Sequence, residues 1–167
     1  FLTYRQSAVW GNAERFYRNV LAHVPDNWHA LNNLGMLLEE KNSWEEAERY
    51  LREAIRLRPD LPQSYSNLGT LFLKKGNLDE AAAEYEKAIR RYPQGAEFHN
   101  NLASAYRLKG DWEKAVSGYK RALLLDPVLV ESRYFLGKTY EAMGEHAAAA
   151  EEFRTLTSLG IHVRLRP

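Results

Sequence analysis

Three observations in the sequence predict an all-α fold built from stacked helical hairpins. The chain repeats itself every 34 residues: Ala13, Ala47, Ala81, Ala115 and Ala149 are evenly spaced, and Tyr17, Leu51, Tyr85, Tyr119 and Phe153 each follow four residues later. Within each unit the apolar residues recur at i, i+3 and i+4, the spacing that lines one face of a helix. Helix-stopping residues sit at fixed places. Asn42, Gly76, Gly110 and Gly144 stand mid-unit, where a left-handed cap is needed, and Pro25, Pro59, Pro93 and Pro127 close each unit. Ile161 alone departs from the proline series.

The elements follow in order from that period. Residues 1–27 are expected to be a partial repeat whose second helix covers about 11–24. The unit 28–61 opens with a first helix carrying Leu34, Gly35 and Leu38, which ends at Asn42. Its second helix starts at Ser43, three residues before Glu46, in capping-box spacing. The unit 62–95 repeats this with Leu68, Gly69 and Phe72, then Asn77 and Glu80. In 96–129 the corresponding residues are Leu102, Ala103 and Tyr106, with Asp111 as the cap. The unit 130–163 carries Leu136, Gly137 and Tyr140 and then an Ala147–Ala150 run, leaving 164–167 as a tail. Small residues at Gly35, Gly69, Ala103 and Gly137 let the two helices of a hairpin approach closely, and large residues fill the groove to the next.

Composition removes several classes of function. The 167 residues carry 23 Lys and Arg against 22 Asp and Glu, a net charge of +1, so the footprint of a nucleic-acid binder is missing. With no cysteine, disulfide frameworks, zinc-thiolate sites and thiol nucleophiles are excluded. His23, His29, His99, His146 and His162 share no metal-ligand spacing, so neither a metal nor a cofactor is expected. Carboxylates fall three or four residues from cations, as in Glu48 with Arg52 and Glu84 with Lys87, the spacing of helix-surface ion pairs rather than acid–base dyads. Arg90, Arg91, Arg164 and Arg166 read as solvated helix ends. The sequence thus predicts a non-enzymatic chain.

These repeated residues resemble the tetratricopeptide repeat, a 34-residue helix-turn-helix unit. The resemblance implies a right-handed superhelical solenoid whose first helices line a concave, ligand-binding face. On that face it places His29, Asn32, Asn33, Met36 and Glu40 from the first unit, and Gln63, Ser66, Asn67, Thr70 and Lys74 from the second. The third supplies Glu97, Asn100, Asn101, Ser104 and Leu108, and the fourth Glu131, Tyr134, Phe135, Lys138 and Ala142. Asn33, Asn67 and Asn101 form a ladder similar to that of the O-GlcNAc transferase repeats, which grip a peptide backbone. An Asn amide both donates and accepts, so it suits that task; the same residues could instead stabilise neighbouring helices. Tyr134 and Phe135 are either an anchor for a partner side chain or a surface that packs against a further repeat. The two-lysine carboxylate clamp of chaperone-binding repeats is absent, because Asn32 and Ser66 stand where lysine is required.

A further resemblance lies near the start. Thr3-Tyr-Arg-Gln6, Trp10, Phe16-Tyr17, Pro25-Asp-Asn27 and Asn33-Leu-Gly35 resemble the junction between the last membrane span and the repeats of O-mannosyltransferase-like membrane proteins. That likeness implies a periplasmic or lumenal recognition domain with a membrane portion upstream; without it, the cytoplasm is the expected compartment. Three roles follow: a scaffold binding a peptide or partner protein, an accessory domain of a membrane glycosyltransferase, or an assembly platform in an envelope or secretion complex. The last hairpin is expected to leave an apolar edge, covered by the tail or by weak self-association.

Overall fold

The fold is given by a computed structural model that describes residues 2–161, with side chains from residue 12 onward. Among the described residues there are nine helices and no strand. They are α1 (Leu2–His23), α2 (Trp28–Glu40), α3 (Trp44–Leu57), α4 (Pro62–Lys75), α5 (Leu78–Arg91), α6 (Ala96–Lys109), α7 (Trp112–Leu125), α8 (Val130–Met143) and α9 (His146–Ser158). The helix expected at about 11–24 therefore begins nine residues earlier, at Leu2. No glycine or proline interrupts the residues before it that could end it sooner. The residues after Ile161, with His162, Arg164 and Arg166, lie outside the described part.

Each first helix stops where expected. Gly76, Gly110 and Gly144 have φ of 82°, 80° and 78°, and Asn42 reaches 58°. At Gly76 the turn is closed by its own N–H to the Leu73 carbonyl (3.1 Å) and by Asn77 N–H to the Phe72 carbonyl (2.9 Å). The second-helix starts need correcting. Ser43, Asn77 and Asp111 occupy the cap position, but none of their side chains bonds a helix N–H. Their ψ values of 65°, 73° and 74° fall short of the extended backbone that aims a cap side chain along the helix. The Asp111 carboxylate pairs instead with Lys114 at 2.6 Å. The side-chain cap that does form is Asn27, which accepts from Ala30 N–H at 3.0 Å.

Packing follows the small–large alternation. A Cβ added at Gly69 would lie 2.8 Å from the Tyr85 ring, and one at Gly137 2.7 Å from Phe153. In the third hairpin the relation is reversed. Ala103 stands where the others have glycine, and Gly118 gives way, since a Cβ there would sit 2.8 Å from that of Ala103. Tyr85 and Tyr119 are among the largest fully buried side chains.

Contacts between helices set the curvature. The second helices α3, α5 and α7 each touch their own first helix and the next one, α3 with α4 and α5 with α6, for example. First helices also touch each other, α2 with α4, α4 with α6 and α6 with α8, whereas no two second helices touch. The row α2, α4, α6, α8 is therefore the crowded inner layer. Arg91, expected to be a solvated helix end, instead joins two repeats: its guanidinium lies 3.7 Å from the centre of the Tyr65 ring and donates to the Tyr65 hydroxyl and the Pro59 carbonyl.

Burial pushes the Tyr85 phenol up to about 12, against an ordinary value of 10. The folded state holds this proton more tightly, so the associated stability is complete below pH 10 and is lost as the pH rises through 12. Two units correspond to about 3 kcal/mol. Urea midpoints recorded from pH 9 upward should fall, and Tyr85→Phe should fall less steeply.

Candidate functional site

The inner layer presents most of the expected residues, in three different situations. His29, Gln63, Glu97 and Glu131 are exposed at the starts of α2, α4, α6 and α8. Met36, Glu40, Lys74, Leu108, Lys138 and Ala142 are exposed further along the same helices. Asn33, Asn67, Asn101, Thr70 and Ser104 are half-buried. Asn100 and Ser66 depart from the expectation: they are 3% and 7% exposed, so they are part of the packing between first helices and not of an open surface.

That packing is a ladder of inter-repeat hydrogen bonds. Asn67 donates through Nδ2 to Asn32 Oδ1 at 3.0 Å, and Asn101 donates through Nδ2 to Ser66 Oγ at 3.2 Å, each spanning 35 residues. The next rung changes form. Phe135 stands where another Asn would be, and Asn100 Oδ1 accepts from the fully buried Ser132 hydroxyl at 2.8 Å. Asparagine in a helix interior is a poor helix former, and here its amide is used across the helix-to-helix contact. Each ladder residue keeps unused capacity. Asn67 has one amide N–H and its Oδ1 free of partners among the described residues, while Asn101 has one N–H, its oxygen accepting from Asn100 at 3.3 Å.

Thr70 and Ser104 pair with the buried tyrosines behind them, Oγ1 with Tyr85 Oη at 3.1 Å and Oγ with Tyr119 Oη at 3.0 Å. Sequence reasoning missed this coupling, although a signal existed. Repeats with Tyr at 85 and 119 carry a hydroxyl fifteen residues earlier, whereas Leu51 and Phe153 are preceded by Met36 and Lys138. It also missed Glu39, 5% exposed, which is paired with Lys74 of the next repeat. The signal there was weak, because a glutamate beside Glu40 reads as surface charge.

Tyr134 and Phe135 turn inward. Phe135 stacks on Tyr119 with ring centres 6.2 Å apart and lies under the Arg107 guanidinium, and Tyr134 meets Phe153 at 6.1 Å. Phe135 fills the space between the third and fourth hairpins, and Tyr134 packs within the fourth. At the C-terminal edge Phe153 and Leu156 are buried and Ile161 packs on the same cluster, leaving Leu159 exposed.

The electrostatics of the face are mild, with Glu40, Glu97 and Glu131 interspersed with Lys74 and Lys138. Lys138 pairs with Glu141. Among the described residues no group of three potential metal ligands comes together, and no helix is long and apolar enough to cross a membrane.

A curved stack of helical hairpins with a continuous inner face of first helices is the architecture of an interaction scaffold. Tetratricopeptide repeat models match residues 29–94, 66–128 and 109–160, and the chain belongs to this family. No curated protein matches it in sequence. Among solved structures it is similar to MamA, with 22% identity and a TM-score of 0.79 over 92% of this chain and 90% of that one. A MamA from Desulfovibrio magneticus RS-1, residue 41 to the end, gives 22% and 0.80 over 93% and 88%. A further form, MamA MSR-1 C2, gives 20% and 0.73 over 95% and 91%. At these identities the likeness is one of fold. As 396 solved chains resemble this one, the fold does not select a particular partner.

Proposed function

We propose that this protein-interaction scaffold holds an extended peptide along its inner face, gripping the peptide backbone rather than particular side chains. The observation that carries the reading is the half-buried pair Asn67 and Asn101, one per repeat. Each is held in place by one bond to the preceding first helix, and each retains an amide N–H facing no partner among the described residues. A donor fixed in this way binds without the entropic cost of ordering a free side chain. The near-neutral face favours this over capture of a charged polymer.

The test begins with peptides selected from a random display library on the immobilised protein. Replacing both Asn67 and Asn101 with Ala should weaken the selected peptides by more than about 1 kcal/mol, roughly fivefold. The same change removes two inter-repeat bonds, so melting by circular dichroism must confirm that the variant is folded at the assay temperature. Unchanged affinity in a folded variant would sink the backbone-grip reading.

A further inference from the structure

One junction between first helices holds a charge that the repeat register leaves unmatched. Residues 35 apart meet along the inner layer, as Asn67 does with Asn32 and Asn101 with Ser66. At the first junction Glu39 is paired in this way with Lys74. The corresponding residues at the second are Leu73 and Leu108, and at the third they are Arg107 and Ala142. A cation therefore stands where the register offers it only a methyl group.

Arg107 is half-buried on α6, three residues after Ser104. Its guanidinium carbon lies 4.8 Å from the centre of the Phe135 ring. Burial pushes the Tyr119 phenol up, while Ser104 and the Arg107 charge pull against that push. The guanidinium is thus a neighbour of the hydroxyl pair that Tyr119 forms with Ser104. Among the described residues, Glu39 Oε1, Ser64 Oγ and Arg107 Nε are buried without a hydrogen-bond partner. Glu39 has Lys74 as its counter-ion and Ser64 is uncharged, so Arg107 is the ionised group left without either. Every Asp and Glu of the sequence falls between residues 14 and 152, inside the described part, yet none forms an ion pair with Arg107. On the facing hairpin Glu141 is engaged by Lys138 and Glu152 by Arg133. A charge held partly out of water calls for a counter-charge.

We propose that Arg107 is a seat for one carboxylate, the side chain of an Asp or Glu in the peptide held along the inner face. The seat rests on the backbone-grip reading and adds a single side-chain requirement to it. A guanidinium presents its N–H groups in a planar fork that matches a carboxylate. The Phe135 ring shields one side of the cation from water, so the pairing is screened less than on an open surface. Charge balance selects a carboxylate over a phosphate. Arg107 is one cation, both basic residues of α8 are already paired, and Glu131 is exposed on that helix, so a second negative charge would be unmatched. The third junction also lies within the face, with α8 beyond it. A peptide running past Asn67 and Asn101 presents a side chain there rather than its end.

The probes are the peptides selected on the immobilised protein, made with an amidated C-terminus and followed by fluorescence anisotropy. They should share an Asp or Glu at one position. Replacing that residue with Asn or Gln should weaken binding about tenfold, and Arg107→Gln should weaken the unaltered peptide about equally. Either change should have little further effect once the other is made. Arg107→Glu should prefer a peptide with Lys at that position over the original. The peptide-side change uses the unaltered protein, so it reads out even where a variant is destabilised. Peptides with no shared acid, an Arg107→Gln variant that binds as tightly as the original, or a need for a free terminal carboxylate would each overturn the seat. None of those results touches the grip, which is judged by Asn67→Ala with Asn101→Ala. Acid dependence that persists while the asparagine changes have no effect would sink the grip and leave the seat. Failure to select any peptide overturns both.

Discussion

Tyr85→Ala is expected to lower the stability of the chain by about 3–5 kcal/mol, the cost of removing a fully buried aromatic ring from a packed core. Tyr85 is 1% exposed and belongs, with Leu51, Leu68, Phe72 and Ala82, to the cluster that joins the first two complete hairpins. Its loss also removes one of the two partners of the Thr70 hydroxyl, which keeps its bond to the Ser66 carbonyl. In a stack held only by neighbour contacts, damage at one interface reduces cooperativity as well as stability. Urea unfolding followed by circular dichroism should show a lower midpoint and a shallower transition. Hydrogen exchange should show α4 and α5 losing protection before α8 and α9, which belong to the separate cluster around Tyr119 and Phe153. Uniform loss of protection along the chain would contradict this neighbour-only picture.

Gly69→Val attacks the same contact from the other side. The new Cβ would fall 2.8 Å from two atoms of the Tyr85 ring, closer than real contacts permit, and the ring has no free volume into which to move. Helix propensity barely offsets this, since valine is only slightly better than glycine in a helix interior. The expected loss is about 2–3 kcal/mol from overpacking. Adding Tyr85→Ala should cost less in the Gly69→Val background than in the original chain, because the new side chain fills part of the space the ring leaves. Thermal melts of the two single variants and the double form the cycle. Strict additivity would show that Gly69 and Tyr85 are not the coupled pair described here.

Much of the fold was legible because its determinants are local or strictly periodic. A left-handed cap must be taken by Gly or Asn, and a proline must end its helix, so the boundaries at Asn42, Gly76, Gly110 and Gly144 are written in single residues. The pairing of Gly69 with Tyr85 and of Gly137 with Phe153 follows from the 34-residue translation. The second-helix caps were misread for a physical reason. Ser43, Asn77 and Asp111 have the right residue types, but the tight turn before each holds ψ short of the extended range, and the side chain cannot reach. The start of α1 was misplaced because helix propensity without a stop signal gives no boundary.

The binding face was legible only in outline. The sequence by itself determined which helix of the first three complete hairpins carries the ladder asparagines, that the chain carries almost no net charge, and that four hairpin units follow a partial one in register. It could not determine what those asparagines touch. Their partners lie 35 residues away on the preceding first helix, at a distance set by the rotation between hairpins rather than by any residue pattern. Tertiary structure alone decided that Asn100 and Ser66 are buried, that Thr70 and Ser104 pair with tyrosines, and that Glu39 meets Lys74. Periodicity states that each repeat is alike; the ends and the contacts between repeats are where they differ.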